Sequence, residues 1–153
     1  LIYGLILAYI YCELLLPVDV VCGKNIYDTY PTHRKIDEVL PEEMILDIGD
    51  ESTQNINNKI INSKMVLWNG PVGAFEFKPY DKATNAIANT MKLNAKKLNI
   101  NTLAGGGDTV SAIKNTNAED GFDYISNAGG AFLEWLEGDE SPGVKSLKAN
   151  NFT

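Results

Sequence analysis

A chain of 153 residues, 44% apolar and 22% charged, is long enough to bury one core and is ordinary in composition for a globular domain. Its formal charge of −7, with no basic run and no interleaving of basic and aromatic residues, excludes a nucleic-acid partner as an expectation. The uncharged residues 1–12 fall short of the roughly 20 apolar residues a membrane span needs, and no basic segment precedes them, so neither an anchor nor a signal peptide is expected.

In chain order, the apolar start predicts a buried helix that runs into a strand over residues 14–21. Cys12 and Cys22 bracket that strand without metal-ligand or redox spacing, which predicts reduced thiols and a cytoplasmic protein. A polar connection containing Pro31 and Pro41 follows. His33 lies in it with no acid or nucleophile beside it, so it is given no catalytic role. A strand is expected over 44–48. Asp50 to Thr53 then supply helix-starting residues, with Ile56, Ile60 and Ile61 on one apolar face. Residues 65–68 read as a short buried strand.

The longest helix is expected from near Asp81 to about Leu98. Ala83, Ala86, Ile87, Met91, Ala95 and Leu98 recur at three- and four-residue spacing and form its core stripe, while Lys92, Lys96 and Lys97 are a solvated helix end that offsets the dipole. A short strand runs into Gly105-Gly106-Gly107, after which a short helix should carry Val110, Ala112 and Ile113 inward and end by residues 115–117. A last strand over 124–126 opens a helix over 131–137. Strands and helices that alternate in this way predict an α/β fold: three layers, Rossmann-like, a mostly parallel sheet with helices on both faces.

Three loops carry the chemistry. Gly105, Gly106 and Gly107 leave backbone amides and a helix start open to an anion. Asp108 beside them would repel a phosphate unless a divalent cation stood between, which suggests a metal-bound nucleotide. Asn69-Gly70-Pro71-Val72-Gly73-Ala74-Phe75-Glu76 leaves a strand at its carboxyl end, where open α/β sheets place ligands. Asn69 and Glu76 offer polar atoms suited to a base or ribose beside an apolar wall of Pro71, Ala74 and Phe75. Asn127-Ala128-Gly129-Gly130 repeats the arrangement before the last helix, so the three loops should converge on one edge.

Leu16-Pro17-Val18-Asp19-Val20-Val21, Asp47-Ile48-Gly49, Trp68-Asn69-Gly70-Pro71-Val72-Gly73, Gly105-Gly106-Gly107-Asp108-Thr109 and Phe132-Leu133-Glu134-Trp135-Leu136-Glu137-Gly138 occur in the order and spacing of phosphoglycerate kinase, which the chain resembles from about residue 13 to about 147. The resemblance implies reversible phosphoryl transfer between 1,3-bisphosphoglycerate and ADP, giving 3-phosphoglycerate and ATP, by an enzyme monomeric at full length. It implies that residues 1–137 are part of the carboxyl-terminal, nucleotide-binding domain. Residues 138–153 would be the tail that packs on the amino-terminal domain, which supplies the basic pocket for the three-carbon acid and is expected to lie outside this chain. Carried over position by position, Asn69, Pro71, Gly73, Ala74 and Glu76 would line the adenosine site, with Glu76 accepting from ribose hydroxyls. Gly105, Gly106, Gly107 and Thr109 would contact the phosphates, Asp108 would bind Mg2+, and Gly129 and Gly130 would present amides to the transferring phosphoryl group. The lysines that steady that group lie upstream in the family, so the fragment alone is expected to be inactive.

The apolar residues 1–12 stand where the family usually carries a mixed charged helix, and four further positions depart from the family pattern. Asn127 and Ala128 stand where threonine and glycine are usual, and a positive φ at Ala128 would cost about 1 kcal/mol. Asp50 replaces a proline, and Ala74 a larger aliphatic residue. Two rivals are weaker. A dinucleotide-dependent oxidoreductase would want Gly-x-Gly-x-x-Gly, and Val110 occupies the third glycine position. A non-catalytic nucleotide-binding or structural remnant would not need Asp108, Glu76 and the glycines together.

Overall fold

Backbone pairing, more than apolar content, decides where strands form at the start of this chain, and it changes two of the expected elements. A computed structural model describes residues 12–130 and Gly138; residues 1–11, the helix expected over 131–137 and the rest of the tail lie outside the described residues. Strand β1 (Asp19–Gly23) lies between β2 (Thr32–Lys35) and β3 (Met44–Ile48) and is antiparallel to both, with Val21 opposite His33 on one side and Asp47 on the other.

The first strand therefore starts at Asp19, later than its apolar run predicts. Pro17 has no amide to give a ladder, and Leu14, Leu15 and Leu16 are exposed. The amides of Val18 and Asp19 donate instead to Ser52 Oγ, at 2.9 and 3.1 Å. Residues 32–35, expected as loop, form the edge strand β2. Thr-His-Arg-Lys has no apolar member to announce a strand, and Arg34 is held by an ion pair of 3.0 Å to Glu43. His33 is exposed on that strand, and Cys22 is a buried free thiol in β1.

A second, parallel sheet has the order β4 (Met65–Asn69), β5 (Asn101–Gly105), β6 (Tyr124–Ser126). Helices α1 (Asp50–Ile61), α2 (Lys82–Leu98) and α3 (Gly107–Asn115) alternate with the strands, as the periodicity predicts. Strand β4 is not wholly buried. Val66 and Trp68 face the core while Met65 and Leu67 are exposed, because β4 is an edge strand with one covered face among the described residues.

Ile87, Ala88 and Met91 of α2 pack against Trp68, Ala104, Ala112, Ile113 and Phe122 in the main core, where the Trp68 and Phe122 rings stack at 6.0 Å, and Ala83 and Ala95 of the same helix are also buried. Val110 is buried as expected. Leu98, expected in the stripe, is 51% exposed, since the helix ends there with Asn99 in the left-handed region at φ 53°. A smaller cluster of Val21, Leu46 and Tyr80 sits under the antiparallel sheet, with Ala74 and Phe77 packed on it. Among the described residues no helix is long and apolar enough to cross a membrane.

Candidate functional site

The register of the parallel sheet sets Asn69 opposite Gly105 and Gly105 opposite Ser126, so the three glycine-containing loops leave the same row at the carboxyl edge. Their convergence is close. A Cβ on Gly129 would lie 2.6 Å from the Gly106 Cα and 3.1 Å from Asn69 Oδ1, so only a bare backbone fits where the last loop crosses the middle one. Gly106 has φ 98°, a conformation that favours glycine, and is the residue that caps α3; its amide donates to the Ser126 carbonyl at 3.0 Å. Gly129 and Gly130 have already entered a helical turn.

Thr109 joins two of the loops. It is fully buried, and its Oγ1 accepts from the Gly70 amide at 2.7 Å, while the Gly70 carbonyl accepts from Trp68 Nε1 at 2.7 Å. Its hydroxyl oxygen thus faces the first loop. Gly107 and Asp108 are exposed in the first turn of α3, and the Asp108 carboxylate caps nothing: among the described residues it accepts no hydrogen bond. A carboxylate presented at a helix start beside bare amides fits a magnesium ion that takes one protein ligand and its remaining ligands from phosphate oxygens and water.

The other limb of the site, residues 70–76, is fastened from behind. Val72 N donates to Thr84 Oγ1 at 3.2 Å and Ala74 N to the Leu46 carbonyl at 2.7 Å, while Gly73 lies directly against the Asp47 carboxylate. Asp47 is 2% exposed and accepts from Ile48 N at 2.9 Å and Ala83 N at 3.1 Å. Burial pushes its carboxyl up to about 6. Pro71 is half-buried, as are Gly73 and Ala74, and Glu76 is exposed at the turn that follows. Ala74 turns its methyl toward the Val21, Leu46 and Tyr80 cluster, so its small size bears on that packing.

The structure thus brings Asn69, Gly106, Thr109 and Gly129 together and carries Gly73, Ala74 and Glu76 on a separate, braced limb. Ala128 does not take a positive φ; its amide donates to Ser126 Oγ at 3.2 Å, so the strain foreseen there does not arise. Asp50 opens α1, where an acid suits the helix dipole. Asp47, Thr84 and Ser126 are the supporting residues that the sequence does not announce. Their partners are distant in the chain or on the main chain, and only the polar residue in the apolar run Met-Ile-Leu-Asp-Ile hints at Asp47.

Residues 6–139 match the protein family described as phosphoglycerate kinase. Curated relatives of that name include one from Azorhizobium caulinodans, 45% identical over 139 residues, and one from Bartonella bacilliformis, 46% identical over 138. Each match takes in 90% of this chain but only 35% and 34% of the relative. The structure of phosphoglycerate kinase from Coxiella burnetii is similar at TM-score 0.83 and 33% identity, over 96% of this chain and 37% of that one. That from Pyrococcus horikoshii gives TM-score 0.73 at 21% identity over 95% and 37% of the two chains, a likeness of fold. The chain spans about 35% of the length of the curated relatives it matches.

Proposed function

The chain belongs to the phosphoglycerate kinase family, and from that membership we propose that it forms the Mg2+-nucleotide half of a glycolytic enzyme that moves a phosphoryl group between 1,3-bisphosphoglycerate and ADP. The observation that carries the reading is the shared row of Asn69, Gly105 and Ser126, which sets three loops at one edge with Asp108 exposed among them.

Each part then has a task. Asn69, Pro71, Gly73, Ala74 and Glu76 hold adenosine, Glu76 accepting from ribose hydroxyls. Gly105, Gly106 and Gly107 line the phosphate chain, and the buried Thr109 fastens their helix to Gly70. Asp108 holds magnesium, which neutralises phosphate charge when bound. Gly129 and Gly130 donate amides to the transferring group, whose charge spreads over its oxygens as it moves, so the protein positions and compensates rather than bonds. The three-carbon acid, as 1,3-bisphosphoglycerate or 3-phosphoglycerate, meets a basic pocket beyond these residues. The reading places the protein in the cytoplasm, monomeric at full length, without nucleic-acid or membrane partners.

Calorimetric titration of ADP with and without magnesium tests the site. The wild-type chain should bind ADP more tightly with magnesium, and Asp108→Ala should lose that enhancement while metal-free ADP binding stays equal or improves slightly, a repulsive charge having gone. Equal enhancement in both proteins removes Asp108 from the metal site.

A further inference from the structure

Asp47 is a buried carboxylate to which the proposed transfer gives no role, and it lies between the start of α2, its own strand and the back of the 70–76 loop. Asp81, the residue that caps α2, makes no side-chain capping bond. Asp47 supplies one from the neighbouring strand, through Ala83 N at 3.1 Å. Its other oxygen accepts from Ile48 N at 2.9 Å and forms the floor on which Gly73 rests, with no room for a Cβ between them. Three successive loop residues are braced from behind, Val72 by a bond to Thr84, Gly73 by contact with Asp47 and Ala74 by a bond to Leu46.

We propose that Asp47 is a positioning residue for the nucleotide, seating Gly73 and tying α2 to β3 so that the 70–76 loop keeps the shape that receives adenosine. The inference rests on the assignment of that loop to adenosine made above. The chemistry asks for a carboxylate. Both of its oxygens accept from main-chain amides, whereas asparagine has one acceptor and would turn an NH2 toward a donor. The glycine-rich loop takes its shape from β5 and β6, and its tie to the limb is made at Gly70, the residue next to β4, through Thr109 Oγ1, so loosening of residues 72–74 leaves the phosphate end in place.

The test separates the two ends of the nucleotide in the full chain. Asp47→Asn should weaken ADP binding about tenfold while leaving magnesium pyrophosphate, the probe of the phosphate end alone, at wild-type affinity. Amide hydrogen exchange should quicken at Ala74 and Ala83 and stay unchanged at Gly106 and Thr109. Gly73→Ala, which pushes on the same contact from the other side, should reproduce the selective loss of ADP. Combined with Asp47→Ala, which makes room, it should cost less than the sum of the two single changes. Unchanged ADP affinity in Asp47→Asn overturns the proposal, as does an equal loss for both probes or quickened exchange at Ala83 alone. A wild-type chain that binds neither probe overturns the nucleotide reading and this inference with it.

Discussion

The charge on Asp47 and the stability of the fold pull in opposite directions. Burial raises its carboxyl to about 6, outweighing the bonds from Ala83 and Ile48 that favour the charged form, and the like charges of Asp81 and Asp50 add to the rise. In the unfolded chain the ordinary value is 3.8, so the fold holds this proton more tightly. The stability this gives is fully present below the unfolded value and is lost as pH rises through 6. A shift of that size corresponds to roughly 3 kcal/mol between acid and neutral pH. Urea unfolding of wild type and Asp47→Asn between pH 4 and pH 7 reads this one group, since asparagine does not titrate. The wild type should lose ground to the variant as pH rises, and a difference that does not move with pH would contradict the account. The same charge orders the loop in front of it, so a group that costs the whole fold at neutral pH is the one that fixes Gly73.

At the scale of elements, helix starts are held by aspartates from neighbouring strands. Gly49 precedes α1 and has no side chain to cap it; Asp19 of β1 accepts instead from Glu51 N at 3.1 Å and Ser52 N at 2.8 Å. Burial raises the Asp19 carboxyl, but the Ser52 and Glu51 bonds and the charge of Lys35 outweigh it and hold the group below its ordinary value. Its contribution is therefore present above the unfolded value and lost as pH falls through the folded one, opposite in sign to Asp47. Asp19→Ala should cost about 1–2 kcal/mol at pH 7 and much less in strong acid, which thermal melts at the two pH values would show. These cross-strand caps explain what the sequence reveals and what it hides. The helices are legible because apolar residues recur along them and local signals start and stop them. The three converging loops are legible because glycines follow strands at Asn69, Gly105 and Ser126. Strand β2 is not, since Thr-His-Arg-Lys pairs at an exposed edge, and neither are Asp19 and Asp47 as caps, because their amide partners lie 32 to 36 residues away. The late start of β1 follows from Ser52 taking the amides of Val18 and Asp19, a contact no local pattern announces.

At the scale of the molecule, binding and turnover make different demands on charge. A nucleotide can be held by neutral amides and a carboxylate-bound magnesium ion, and the loops at 69–77, 105–109 and 126–130 offer main-chain amides and the carboxylates of Glu76 and Asp108 without a single lysine or arginine. A phosphorylated acid in line with it brings further negative charge, and its positioning calls for guanidinium or ammonium groups that meet phosphate oxygens directly. The chain has 13 lysine and arginine residues against 20 acids, and its one arginine, Arg34, is paired to Glu43 on β2. Lys35 and Lys59 are engaged by Glu51 and Glu13. The remaining described lysines lie on helices or on turns outside the three loops, where the last turn of α2 holds Lys96 and Lys97. The 153-residue chain should therefore bind magnesium ADP and yet transfer no phosphoryl group from 1,3-bisphosphoglycerate. A coupled assay that follows ATP formation by the purified chain, run beside the calorimetric titration, reads both halves of this expectation. Turnover above background that survives ion exchange and disappears on heating together with nucleotide binding would show that these residues alone assemble the reacting groups, and the division between binding here and acid recognition elsewhere would fall.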